Sequence, residues 1–278
     1  MKYAYAKFSS KLSNPFCSIA PPGLGNCLFP WARAMTFAYE NNAHLITPEW
    51  FTINVGPLMR GTKSRNYCDD FKNIKDDVSG LSKLLVLVCS RRFQEGSDEA
   101  YELAAGRRVI QFSGMKGWFG PINQHRVCVR AGIAKRLGNS FVDCNGYLGV
   151  HVRLGDFQVA TLEELYSGKR NLRAPFSWYL RIIKERLESG SYKGIKYFTD
   201  AKESEIEELL RSYPGVIVSG QTALSDMFSL SSCDAIVGTR STFALWAYYL
   251  SECKLYIPFG EFQKSELLPN GAGIEYCR

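Results

Sequence analysis

The sequence predicts an α/β protein built on parallel sheets, and three observations carry that prediction. From about residue 147 onward, short apolar runs alternate with helix-period segments, the pattern of a parallel sheet covered on both faces. Near the start, an apolar run, a Pro-Gly turn, a helical stretch and a second apolar run follow in the order of a βαβ unit. Two apolar runs of the second half end in tight polar turns, and each turn carries an arginine. Ligands of open α/β sheets bind outside the carboxyl ends of the strands, so these two turns are where a ligand is expected.

Taken in order, the first strand is expected at residues 16–19. The turn Pro21-Pro22-Gly23-Leu24-Gly25-Asn26 leads to a helix over 27–41, whose Leu28, Trp31, Ala32, Met35, Ala38 and Tyr39 recur at helix spacing. A strand over 43–47 ends at Pro48. Residues 51–80 read as polar and irregular, with Asp69-Asp70 and Asp76-Asp77 as solvated loop charges. Strands are predicted at 84–89 and 108–112, and a helix at 124–137. Gly138-Asn139-Ser140 closes that helix and suits a domain boundary, which divides the chain into domains at 1–140 and 141–278. The second domain is expected to place strands at 147–152, 196–199, 216–218, 235–237 and 254–257. Its helices are expected at 177–188, 204–212, 223–230 and 243–251.

Composition limits the function classes. The 278 residues are 46% hydrophobic and 22% charged, enough to bury a sizeable core. The net charge of +7 is spread along the chain, with no dense Lys/Arg run and no zinc-finger or RNA-binding pattern. That balance suits an anionic ligand, admits peripheral association with an anionic membrane surface, and does not call for nucleic acid. No run of ~18 apolar residues is present to span a bilayer. The N-terminal stretch lacks the continuous apolar core of a secretory signal. Nine cysteines without a CxxC pair, and three histidines, do not make a zinc site. The cysteines read as small buried hydrophobes in a reducing compartment, so the expected location is cytoplasmic.

The two arginine turns carry the chemistry. The first is His151-Val152-Arg153-Leu154-Gly155-Asp156, and the second is Gly238-Thr239-Arg240-Ser241-Thr242-Phe243. Arginine, backbone N–H groups and hydroxyls together hold phosphate, which points to a nucleotide or nucleotide-sugar site. His151 either touches substrate or is a hydrogen-bonded core histidine. Arg153 either binds a diphosphate or pairs with Asp156 to shape the loop. Arg240 either contacts the same phosphate or is a surface arginine at a helix start. Gly23 and Gly25 either permit a tight turn or let backbone approach a ligand. Asn26 either caps the helix or reaches the ligand. The chain contains no D-x-D to hold a metal against a pyrophosphate.

These motifs resemble a known superfamily. His151-Val152-Arg153-Leu154-Gly155-Asp156 is similar to the HxRRxD-type signature of α-1,2-, α-1,6- and protein O-fucosyltransferases. Gly23-Leu24-Gly25-Asn26-Cys27-Leu28-Phe29 resembles the GxLGNQxF turn of the α-1,2 group. The segment 225–250 resembles that group's C-terminal signature; it contains Asp226, Leu230-Ser231-Ser232-Cys233-Asp234 and Ser241-Thr242-Phe243-Ala244-Leu245-Trp246. The stretch Gly114-Met115-Lys116-Gly117-Trp118-Phe119 resembles the family's Gly-rich aromatic segment; its aromatics either stack on a sugar or pack in the core. The first three of these segments occur in the right order, while residues 50–140 match only loosely.

The resemblance implies a GT-B architecture, two Rossmann-like domains with a central cleft, the acceptor on the N-terminal side and the nucleotide-sugar donor on the C-terminal side. It implies an inverting, metal-independent glycosyltransferase moving a sugar, fucose from GDP-fucose, onto a glycan hydroxyl. No cofactor is expected, the donor being a substrate. Arg153 would stabilise the leaving diphosphate, and Gly23, Gly25, Asn26, His151, Asp226, Arg240, Ser241, Thr242 and Phe243 would contact substrates. Asp156, Glu163 and Glu164 are the carboxylates near the arginine turn that a general base would be drawn from. One departure stands out: the family's second arginine is here Leu154, and Arg240 is expected to supply the missing charge in the same pocket. That departure keeps open a related glycosyltransferase with another donor, such as UDP-xylose. A non-catalytic nucleotide-sugar or glycan-binding protein is the third reading.

Overall fold

The computed structural model describes residues 1–8, 17–19, 22–48, 51–53, 77–97, 107–155, 158–167, 172–218, 222–260, 268–269 and 273–278. The chain forms two compact units, Met1–Gly138 and Asn139–Arg278. Both are α/β, and every strand ladder among the described residues is parallel.

In the first unit the chain runs β1 (Lys2–Lys7), β2 (Cys17–Ile19), α1 (Leu24–Glu40), β3 (His44–Ile46), β4 (Phe51–Ile53), α2 (Gly80–Cys89), β5 (Arg91–Gln94), β6 (Arg108–Ser113) and α3 (Arg126–Leu137). Four of these strands make one sheet in the order β3-β1-β6-β5. The first strand of the chain, β1, is one of the two inner strands, and its Tyr3, Ala4, Tyr5 and Ala6 are all buried. The βαβ unit is therefore β1-α1-β3. The strand expected at 16–19 exists as β2 but pairs with β4 in a separate ribbon. Arg33, buried on α1, pairs with Glu95 at 2.8 Å and donates to the carbonyls of Ser113 and Gly114 at 3.1 and 2.9 Å, which ties α1 to the end of β6.

The segment 84–89, expected as a strand, is helical. Lys83, Val86 and Leu87 turn inward at helix spacing, while Leu81, Leu85 and Val88 face outward. An apolar run on both faces hides its period, so strand and helix read alike. Cys89 ends that helix exposed rather than buried. Helix α1 also begins three residues earlier than expected.

In the second unit the elements are β7 (Leu148–Val152), β8 (Gln158–Val159), α4 (Leu162–Tyr166), β9 (Leu172–Arg173), α5 (Phe176–Ser189), β10 (Ile195–Thr199), α6 (Glu207–Ser212), β11 (Val216–Ile217), α7 (Ala223–Leu230), β12 (Ala235–Val237), α8 (Thr242–Leu250), β13 (Lys254–Pro258) and β14 (Ile274–Cys277). The small β8-β9 ribbon, α4 and β14 have no counterpart in the sequence reading. The main sheet has the order β11-β10-β7-β12-β13-β14. Counted along the chain, that is the Rossmann order 3-2-1-4-5-6, which reverses direction between β7 and β12.

Strand alternation decides what each residue of β7 faces. Leu148, Val150, Val152 and Leu154 pack into the core with Trp178, Tyr179, Ile182 and Ile183 of α5. Each such side chain contributes roughly 1.5–3 kcal/mol through its burial. On the other face, a Cβ on Gly149 would meet Cys233 Sγ at 2.7 Å, and His151 lies against α8. His151 and Leu154 thus belong to opposite faces of one strand and its extension.

Candidate functional site

His151, Arg153, Ser241, Thr242 and Phe243 of the second unit gather where the sheet order reverses. At the carboxyl end of β12, Gly238 brings the backbone close: a Cβ there would sit 3.2 Å from Ala244 Cβ and 3.6 Å from His151 Cβ. Ser241 then caps α8, its Oγ accepting the Ala244 N–H at 3.2 Å. Thr242 opens the helix, so the turn presents a helix N-terminus with its unpaired N–H groups and partial positive charge. Phe243, one residue on, stacks on the His151 ring at a centroid distance of 4.7 Å and an interplanar angle of 14°.

His151 is 6% exposed and lies 3.4 Å through Nδ1 from Ser241 Oγ. Burial pushes its pKa down to about 4, the Arg153 charge pushes the same way, and Asp200 opposes them. The imidazole is therefore neutral at pH 7. The Ser241 hydroxyl and Nδ1 can bond with either as the donor, according to which ring nitrogen carries the proton.

This shift makes folding stability depend on pH. Below about pH 6.5 the unfolded chain takes up a proton that the folded chain refuses until about pH 4. Stability from this group is complete above pH 6.5, falls by about 1.4 kcal/mol per pH unit on acidification, and levels off below pH 4. Urea unfolding from pH 7.5 to 4.5 is expected to show a shallower loss in His151→Gln than in the wild type. Parallel curves for the two proteins would contradict a neutral buried histidine.

Arg153 follows, half-buried in the turn after β7. Just before it, the Tyr179 hydroxyl donates to the His151 carbonyl at 3.2 Å. Just after it, the Leu154 N–H donates to Asp200 Oδ1 at 2.9 Å. Gly155 completes the turn at φ +46°, a left-handed conformation that suits glycine. Leu154 itself is 5% exposed in the core, on the face opposite His151.

Arg240 is half-buried. Its Nη2 donates to the Leu165 carbonyl at 2.7 Å, and its guanidinium lies so close to Gly260 that a Cβ there would be 2.6 Å from Nη1. The side chain thus leans on the end of α4 and the turn after β13. Asp226 is half-buried in the first turn of α7, whose cap Thr222 accepts the Ser225 N–H at 3.2 Å. Glu163 is exposed in the first turn of α4. Glu164 is engaged in a capping box with Thr161, at 3.0 and 3.1 Å. Asp156 lies outside the described residues.

The first-unit candidates sit at the start of α1. Gly23 is the residue before the helix with φ −57°, so no left-handed turn requires glycine there. Gly25 is buried in the first helical turn, and Asn26 is the third helical residue rather than the cap. Asn26 Oδ1 is buried and has no hydrogen-bond partner among the described residues. Its backbone carbonyl loses its helical partner too, because residue 30 is proline. Phe119 is fully buried and packs on Phe29 at 4.8 Å, while Trp118 is half-buried beside the same ring at 5.6 Å.

The structure therefore brings His151, Arg153, Ser241, Thr242 and Phe243 to one edge of the sheet. It adds Tyr179 and Asp200, which the sequence reading did not single out. Asp200 had a legible signal: it ends the apolar run of β10, which is the neighbour of β7. Tyr179 had none, being one aromatic on the buried face of α5.

No family model matches the chain, and no curated protein matches it. Similar solved structures include a FUT1 variant from Arabidopsis thaliana in complex with GDP, at 13% identity and TM-score 0.41, covering 95% of this chain and 71% of that one. Others are POFUT1 in complex with GDP, at 11% identity and TM-score 0.43 over 91% and 96% of the two chains, and the fucosyltransferase NodZ from Bradyrhizobium, at 16% identity and TM-score 0.44 over 90% and 92%. Among the described residues no helix is long and apolar enough to cross a membrane.

Proposed function

We propose that the chain is an inverting, metal-independent glycosyltransferase of GT-B architecture that moves fucose from GDP-fucose onto a glycan hydroxyl. The observation that carries this reading is the reversal point between β7 and β12. There the half-buried Arg153, a neutral His151 and the Ser241-capped start of α8 share one edge. A permanently charged fork, an uncharged imidazole and a helix N-terminus are groups that suit a diphosphate without a metal.

In this reading Arg153 binds the diphosphate and stabilises the charge that grows on it as the glycosidic bond breaks. The N–H groups at Thr242 and Phe243 take the other phosphate oxygens, and the His151 ring contacts the donor. Asp226 and Arg240 border the nucleotide. Asp156 or the exposed Glu163 takes the acceptor proton. Gly23, Gly25 and the buried Asn26 oxygen serve the acceptor side. Leu154 favours a second reading in which the donor is another nucleoside-diphosphate sugar, because one arginine of the signature is missing.

A calorimetric panel of GDP, UDP, GDP-fucose and UDP-xylose, followed by transfer assays with and without EDTA, tests both. GDP ligands are expected to bind more tightly than UDP ligands, and transfer is expected to survive EDTA. Preference for UDP ligands would select the second reading. Loss of transfer in EDTA, restored by Mg²⁺ or Mn²⁺, would overturn the metal-free mechanism.

A further inference from the structure

We propose that Asp200 and Tyr179 are positioning residues that hold the Arg153 turn in its ligand-ready shape through its backbone; the proposal rests on reading that turn as the diphosphate site. The last sheet pairing of β7 is Val152 with Thr199 on one side and Val150 with Val237 on the other. Beyond those points the amides of residues 153 and 154 leave the ladder. Backbone donors in such a half-buried turn need partners. Side chains from two different elements bond this stretch of backbone. The Tyr179 hydroxyl donates to the His151 carbonyl at 3.2 Å, which pins the backbone where β7 runs into the turn. Asp200 Oδ1 takes the Leu154 N–H at 2.9 Å.

Both supports are themselves fixed. Tyr179 is 1% exposed in the core, and burial raises its phenol above the usual range, so it stays a neutral donor and acceptor. The chain at Asp200 is turned by Thr199, whose Oγ1 accepts the Ala201 N–H at 3.1 Å. A charged fork that must meet a diphosphate gains affinity from a preset backbone, since less ordering remains to be done on binding. The separation of roles is chemical: the Leu154 amide needs an acceptor oxygen, which asparagine also offers and alanine does not.

The experiment compares wild type, Asp200→Ala, Asp200→Asn and Tyr179→Phe. Amide hydrogen exchange at Leu154 is measured in the ligand-free chain, GDP affinity by calorimetry, and urea midpoints monitor folding. Asp200→Ala is expected to lose protection at Leu154 and to bind GDP roughly 5- to 10-fold more weakly, the scale of one hydrogen bond. Asp200→Asn is expected to recover both. Tyr179→Phe is expected to weaken GDP binding with a urea midpoint that still marks a folded chain. In transfer assays the Ala variant's loss is expected in KM for the donor more than in kcat. If wild type binds none of the nucleotides, the diphosphate reading fails and this proposal with it. If wild type binds GDP and Asp200→Ala binds equally well, the diphosphate reading stands and the positioning role alone is overturned. Equal losses in Asp200→Ala and Asp200→Asn would also overturn it, since charge rather than the hydrogen bond would then be at work.

Discussion

Arg153→Ala is expected to fold normally and to lose roughly 10²–10³ in turnover, the usual effect of deleting one preorganised donor aimed at developing charge. The physical case rests on where the guanidinium stands. Arg153 leaves β7 at the point where the sheet order reverses, and the residue is half-buried. Its charge is felt by His151, which in turn lies against Ser241 at the start of α8. A diphosphate at this edge would meet one full positive charge and a helix N-terminus, and reduced contact with water strengthens both. Lysine is expected to be a poor substitute because a point charge cannot reproduce the planar fork. The Tyr179 bond to the His151 carbonyl and the Asp200 bond to the Leu154 N–H do not involve the Arg153 side chain, so the alanine variant keeps its scaffold. The checks are single-turnover transfer kinetics and a thermal unfolding curve. A folded Arg153→Ala with near-normal transfer would remove this turn from the active site.

Leu154→Arg is expected to be the most damaging single change for stability, at ~4 kcal/mol or more. The resemblance to fucosyltransferases suggests a second arginine at this position, and an Arg at 154 would then share a pocket with Arg240. The structure corrects that expectation. Leu154 is 5% exposed and packs with Val152, Trp178 and Tyr179 in the core. Replacing it forfeits roughly 1.5–3 kcal/mol of apolar burial, and a buried unpaired guanidinium adds a desolvation cost of several kcal/mol. Whole-domain stabilities are about 5–15 kcal/mol, so the loss is a large share. Leu154→Met conserves volume and is expected to cost less than ~1.5 kcal/mol. Urea midpoints of the two variants decide the matter. A Leu154→Arg protein as stable as wild type, with tighter GDP binding, would show that position 154 faces the ligand after all.

Arg240 illustrates the same point from the other turn. Its place in Gly238-Thr239-Arg240-Ser241-Thr242 suggested a direct replacement for the missing charge. In the structure its guanidinium donates to Leu165 and lies on Gly260, so it also braces α4 against the turn after β13. The motif read correctly as a polar turn before a helix, and the structure adds that Ser241 caps α8. Where an arginine six bonds long comes to rest depends on carbonyls that are distant in sequence.

What the sequence by itself determined is the local part of the molecule. The period of the apolar residues marked α1, α3, α5 and α7, and the alternating order of the second half marked β7, β10, β12 and β13. Polar turns after apolar runs marked the edge that carries His151, Arg153, Ser241, Thr242 and Phe243. These signals are legible because turn chemistry and side-chain period act over a few residues. Only the tertiary structure decided the rest. It made 80–89 a helix, since an apolar run has no period until one face has a partner. It made β1 an inner strand of the first sheet and sent β2 to a separate ribbon, because strand pairing joins residues tens of positions apart. It turned Leu154 inward while the Arg153 charge acts on His151, and it brought Tyr179 and Asp200 to the turn that both then hold. Each of these depends on which faces and strand ends meet, and that follows from burying the largest apolar area with every backbone group paired, a condition on the whole unit and not on any segment of it.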